Sequence, residues 1–189
     1  MLTLADLDSR HSIPTRQLGA PGPTPEQLLR MLQTAVRVPD HGKREPFRFL
    51  RIDGAARGAL ADAALARLRE RAPDSDPAVE DKLRTRFTVP PLTVAVIARL
   101  GPDEKIPTVE RLVSASCTTL MLLLAAQAEG FGAQLLTGWL AYDRPFLENT
   151  LGLTTEEQLI GTVAIGTPQI AVRDRARPDP SDLLRVWQP

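Results

Sequence analysis

Apolar residues recur in this chain first at helical spacing, then in short unbroken runs, and then around a long segment that has no polar stripe. Thr3 and Asp6 are spaced as a capping pair for a short helix reaching about Arg10. Residues 11–23 hold two glycine or proline clusters and read as an extended connection. Thr24, Pro25 and Gln27 then form a capping box with proline at the first helical position, and Leu28, Leu32, Ala35 and Val36 follow at helical spacing until Pro39. A strand is expected over Phe47–Ile52, a helix over Ala55–Arg71, and a second helix from the Pro73–Pro77 break to Phe87. Leu92–Ala98 is a β-branched apolar run, as in a strand buried on both faces, and Leu159–Ile165 reads the same way. Shorter elements are expected at Ala133–Leu136 (strand) and from Asp143 to near Gly152 (capped helix).

The segment Pro107–Glu129, stopped by Gly130, carries apolar residues on every side from Ala115 to Ala128. A helix apolar all round must be buried all round. That leaves a central helix or one packed against a second subunit, and the pattern does not choose. Helices and strands alternate irregularly, which predicts an α+β fold. One domain is expected over residues 1–189, with a core at about 4–168. Residues 169–189 form a proline-broken tail in which Leu183, Leu184 and Trp187 are candidate anchors.

Composition narrows the chemistry. The 23 basic and 23 acidic side chains cancel, so no global field draws nucleic acid or acidic lipid. The single cysteine, Cys117, excludes an internal disulfide and reads as a small buried hydrophobe. No secretory leader pattern opens the chain, and the longest unbroken apolar run, Leu120–Ala126, is too short to cross a bilayer; a cytoplasmic protein is expected. Phosphate-binding loops, a serine nucleophile elbow and a zinc-binding helix are all missing, and only His11 and His41 supply imidazole. An enzyme of this composition would rely on a cofactor.

An ordered set of landmarks supplies one. Arg10-His11-Ser12 after a short helix, Thr24–Leu28 leading into Ala35-Val36-Arg37-Val38-Pro39-Asp40-His41, Glu45-Pro46-Phe47-Arg48-Phe49, Gly130-Phe131-Gly132-Ala133 and Gly161…Gly166-Thr167-Pro168 fall in sequence across nearly the whole chain. Together they resemble the nitroreductase family, above all its minimal single-domain branch. The resemblance implies a nitroreductase-like fold, with a central mixed or antiparallel sheet flanked by helices, in an intertwined homodimer. It also implies FMN as cofactor, and NAD(P)H and a small electron-poor acceptor, such as a nitroaromatic or quinone, as reactants in ping-pong hydride transfer. Arg10, His11 and Ser12 would then hold the flavin from one subunit and Arg37 and His41 from the other, with Leu135, Leu136 and Thr137 as the strand edge beside the ring. Guanidinium groups suit the phosphate of FMN through planar charge-assisted hydrogen bonds.

The chain departs from its branch at Leu135–Thr137, where relatives carry a Trp-Arg-Ser-like triplet, at Glu45 for the usual glutamine, and at Lys43 for asparagine. The changes at Glu45 and Leu135–Thr137 motivate one alternative, a same-fold binding module without turnover; another, a flavin enzyme of other chemistry such as dehalogenation or desaturation, would be decided by the substrate loops at 66–90 and 99–107.

Overall fold

A computed structural model describes residues 3–188. Its centre is a five-stranded sheet of β1 (Leu18–Gly19), β2 (Phe47–Asp53), β3 (Leu92–Arg99), β4 (Gly132–Leu136) and β5 (Glu157–Pro168). Strand β5 is the hub: it pairs with β3 along Glu157–Ile165, with β4 along Thr162–Gly166 and with β1 at Thr167–Pro168, while β2 pairs with β3. Because residues 162–165 are shared, β3 and β4 lie on opposite edges of β5. Among the described residues every ladder is antiparallel, so the mixed alternative falls away, and the one parallel contact is an isolated bridge, Ser12 to Ala133.

The unbroken apolar runs have the meaning expected of them. Leu92–Ala98 is buried throughout, with Leu92, Val94 and Val96 in one core and Ala95 and Ile97 in the other. Side chains alternate across a strand, so a strand covered on both faces has no polar position to spare. On one face lie α3 (Ala56–Arg71), α4 (Pro77–Thr88) and α6 (Arg144–Asn149); on the other lie α2 (Pro25–Ala35) and α5 (Thr108–Ala128). The short helices α1 (Leu4–Asp8) and α7 (Pro180–Leu183) sit near the ends of the chain.

Both expected capping boxes form, Thr3 with Asp6 and Thr24 with Gln27. Helix α1 stops at Asp8, short of Arg10, because Ser9 caps it: its N–H reaches the Ala5 carbonyl and its hydroxyl the Asp6 carbonyl. The connection after it is not wholly extended, since it contains a 3-10 turn at Thr15–Gln17 and β1. Asp143 caps α6 through the Phe146 N–H at 3.0 Å, yet α6 ends at Asn149 rather than near Gly152.

Helix α5 departs most from expectation. Its inward side carries Arg111, Ser114, Thr118 and Thr119, while Val109, Val113, Ser116 and Leu120 form an exposed stripe. Burial of the hydroxyls is tolerated because each bonds to the carbonyl one turn back: Ser114 to Glu110, Thr118 to Ser114, Thr119 to Ala115. Ser114 also reaches the Pro39 carbonyl at 2.8 Å. The helix is therefore not buried all round within one chain, and Cys117 on its flank is only half-buried. With a mean hydropathy of 1.5, α5 has the length and composition to cross a membrane, contrary to the reading of its short unbroken run, but one side of it is packed on the sheet. The tail anchors differ too. Leu183, Leu184 and Trp187 are exposed, Trp187 at 82%, so they anchor nothing on their own chain.

Candidate functional site

The segment that follows α1 is laid against β4. Gly130, with φ of 84°, ends α5 and lets the Phe131 N–H return to the Ala126 carbonyl at 2.9 Å. Gly132 then opens β4 at a point where a Cβ would meet Ile13 Cγ1 at 2.8 Å, Leu18 Cδ2 at 2.9 Å and Pro168 Cγ at 2.9 Å. Without a side chain there, Ile13 can donate its N–H to the Ala133 carbonyl at 3.1 Å and Ser12 can bridge to the same residue.

This docking brings Arg10, His11 and Ser12 to the strand. Arg10 Nη1 lies 3.5 Å from Ser12 Oγ. A pocket of about 200 Å³ opens beside them, lined by Ser9, Arg10, His11, Leu123, Gln127 and Phe131. His11 Nδ1 lies 2.7 Å from the Ser9 carbonyl, and Nε2 faces Asp174 of the tail at 3.4 Å. Arg10 has no carboxylate partner among the described residues, so its guanidinium is available to an anion.

Beyond the Ser12 bridge, the outer edge of β4 has no strand beside it among the described residues. Leu135 and Leu136 lie on that edge and Thr137 just past its end, the first of them two residues, or about 7 Å, from Ala133. Open strand edges present unpaired backbone groups to whatever lies alongside. Arg10–Ser12 and Leu135–Thr137 thus lie along the same strand, while the pocket beside Arg10 is lined by none of Leu135, Leu136 and Thr137.

His41 does not join these residues within the chain, and Arg37 lines a separate depression beside the C-terminal end of α5. His41 Nδ1 meets Glu110 Oε2 at 2.6 Å, at the N-terminal end of α5. Gln127, near the other end, donates to Ser9 Oγ at 2.9 Å, beside Arg10. Seventeen residues of helix separate Glu110 from Gln127, about 25 Å. That span exceeds a flavin mononucleotide. Arg37 lies at the end of α2 and lines a surface depression with Thr34, Ala125 and Ala128, again with no carboxylate partner among the described residues.

The loop after His41 is held in a costly shape. Gly42, Lys43 and Glu45 have φ of 72°, 50° and 47°, and a non-glycine residue there costs roughly 1–2 kcal/mol. Asp40 pins the loop by accepting from the Arg44 N–H at 3.0 Å and the Glu45 N–H at 2.8 Å. Arg44 is fixed in turn by Asp103 at 2.6 Å. The Ile106 N–H, then Arg44 and the Lys105 N–H, hold the Asp103 carboxyl well below the usual carboxylate range. Lys43 and Glu45, two of the departures from the family pattern, project from this loop exposed.

One residue beside the site went unread in the sequence. Arg86, in the last turn of α4, donates from Nη2 to the Thr137 carbonyl at 2.8 Å and lies 3.4 Å from Thr162 Oγ1. Burial alone pushes its guanidinium down to about 10. In sequence it is one of several charges on an arginine-rich helix, and only its position at the end of α4, ahead of Pro90-Pro91, hinted at contact with the sheet. Among the described residues no three His, Cys, Asp or Glu side chains gather as a metal site.

Comparison with known proteins places this architecture. Residues 7–167 match the model of the nitroreductase family. YdjA of Escherichia coli (strain K12), whose name assigns it provisionally to the NAD(P)H nitroreductases, is 31% identical over 172 residues, covering 90% of this chain and 92% of its own. A nitroreductase-like family protein from Bacillus cereus superposes with a TM-score of 0.81 at 22% identity, over 98% of this chain and 96% of that one. The nitroreductase CinD from Lactococcus lactis, solved in complex with nicotinic acid, gives 0.75 at 19% identity over 98% and 99%. The match over residues 7–167 and the 31% identity to YdjA show that the chain belongs to the nitroreductase family.

Proposed function

We propose that the protein is an FMN-dependent oxidoreductase that uses NAD(P)H to reduce small electron-poor acceptors, with each flavin held between two copies of the chain. The observation that carries this reading is the convergence of an unpaired guanidinium at Arg10 with the Ser12 hydroxyl and an open backbone edge at Leu135–Thr137. A phosphate suits the first two and a flat heteroaromatic ring the third. The donor set therefore fits FMN. A solved structure of the same fold, 18% identical with a TM-score of 0.66, is described as an oxidoreductase containing FMN.

When bound, FMN accepts hydride from NAD(P)H and returns it to the acceptor. The chain's own tasks are to bind and orient. Arg10 and Ser12 neutralise and fix the phosphate. Leu135–Thr137 offer backbone groups along the ring and keep that side free of competing side chains. Arg37 and His41 come from the second copy, as the family resemblance implies; within one chain His41 sits at the opposite end of α5, while Arg37 lies beside its C-terminal end. The exposed Val109, Val113 and Leu120 stripe of α5 is the contact that brings the copies together. NAD(P)H and the acceptor take turns at one open face, a ping-pong order that requires no acid or base from the protein. Nitroaromatics lead the acceptor classes because CinD has been solved with 4-nitrophenol and with chloramphenicol.

The test is a titration of purified protein with FMN, followed by NAD(P)H oxidation with a nitroaromatic or quinone acceptor. Saturable binding, a rise in Tm and acceptor-dependent turnover are expected. Absence of any flavin-induced stabilisation would sink the reading. Binding without turnover would favour the non-catalytic module that Glu45 and Leu135–Thr137 suggest.

A further inference from the structure

Several arginines are withdrawn from water in this protein, and nearly all are satisfied. Arg48 has both oxygens of Glu157, Arg67 has Asp143, and Arg44 has Asp103. Arg57 has no acid but spends Nη1 on the Thr88 and Pro90 carbonyls and Nε on Gly54. Arg111 uses Nη1 on Gly101 and Nη2 on Thr108, leaving only its Nε buried without an acceptor. Arg86 differs from all of them in having a single bonded nitrogen. Only Nη2 is bonded; Nε is buried with no acceptor, and Nη1 lies beside Gly138 with none among the described residues.

Its surroundings do not account for that. The ring of Phe87 lies 5.3 Å away, and the end of α4 favours a cation, but neither aims the guanidinium at β4. What it is aimed at is the Thr137–Gly138 corner, where the open edge of β4 ends. A desolvated cation with a free N–H pair is matched by an electron-rich acceptor carrying no obligatory proton. Of the two ends of a flavin ring, the dimethylbenzene end is apolar, and the pyrimidine end carries carbonyls and accumulates negative charge on reduction.

We propose that Arg86 receives the pyrimidine end of the bound flavin at the Thr137–Gly138 corner, and so sets both ring affinity and the ease of reduction. This rests on the FMN reading above and extends it to a residue and an orientation. Arg86 brings a positive charge from α4 to this end of the strand. The ring then lies with its apolar end toward Leu135.

Two substitutions separate charge from architecture. Arg86→Gln keeps a donor for the Thr137 carbonyl and removes the charge; Arg86→Lys keeps the charge. FMN and riboflavin are titrated into each folded protein, and sulfite is titrated into each flavin complex, because a nearby cation stabilises the anionic sulfite-bound ring. Arg86→Gln is expected to weaken FMN and riboflavin by the same factor, about tenfold, and to raise the sulfite needed for half-bleaching at least tenfold. Arg86→Lys should restore most of the sulfite affinity. A glutamine variant with wild-type sulfite affinity overturns the inference, as does a loss confined to FMN. Wild-type protein that binds no flavin overturns the functional reading itself, which is a separate outcome.

Discussion

Asp143 shows how one side chain can be half legible. Its place before Arg144-Pro145 identified it as a helix cap, and the Phe146 N–H confirms that role. Its other partners come from 72 and 76 residues away. Arg67 grips both oxygens, Arg71 adds a third contact at 2.7 Å, and the carboxyl is 1% exposed. Hydrogen bonding from Arg67, then the Phe146 N–H and Arg71, outweighs burial and lowers the carboxyl to about 2. A carboxyl lowered on folding stabilises the protein above its unfolded value, near 4, and that contribution drains away as pH falls toward 2. Denaturant unfolding should therefore show an acid limb between about pH 4 and pH 2 that Asp143→Asn flattens. The substitution should cost about 2 kcal/mol at neutral pH, less than for a fully buried pair because Arg71 is half-exposed. Equal acid limbs in the two proteins would refute the assignment. Arg86 is the opposite case to the cap. Nothing local distinguishes an arginine that turns under a strand from one that faces water, so long-range position decided what the pattern could not.

Elements were legible where burial is uniform and less so where packing is one-sided. Strands β3 and β5 stood out because a strand covered on both faces must be apolar throughout, though β5 extends from Glu157 to Pro168, beyond its apolar run. Helix α5 was legible as a helix but not in orientation: hydroxyls that bond back to their own helix can face inward, leaving valines and Leu120 outside. Strand β4 depended on its glycines. Arg10 and Ser12 reach the site only because Gly132 lets the preceding segment lie against the strand. Gly132→Ala would drive a methyl into Ile13, Leu18 and Pro168, none of which can swing away freely. The expected cost is about 1–3 kcal/mol. It should be accompanied by a disproportionate loss of FMN affinity, since the displaced segment carries the proposed phosphate ligands. Urea unfolding and a flavin titration of the same variant check both; lost stability with unchanged flavin affinity would mean that the segment does not position the site.

At the level of the assembly, one chain holds two proposed half-sites with members at opposite ends of α5. Arg10 and Ser12 lie by its C-terminal end, His41 by its N-terminal end, and the stripe between them is apolar and exposed. A two-fold pairing across such a stripe would give every site one half from each copy, because an isologous contact repeats itself in both directions. The resemblance suggested this arrangement; the geometry makes it testable without a structure of the complex. Arg10→Ala and the double variant Arg37→Ala/His41→Ala should each lose most flavin binding alone. After the two are unfolded together and refolded as a mixture, half of the dimers are mixed, and each contains one site built wholly from unaltered residues. About a quarter of all sites should then bind FMN. Val113→Asp, at a position already exposed in the single chain, should leave the fold intact by circular dichroism while shifting sedimentation to monomer and abolishing recovery in the mixture. Recovery near zero from well-folded mixed dimers would place both half-sites in the same chain's service, and the 25 Å of α5 between them would then have to be bridged by a movement of the loop around His41.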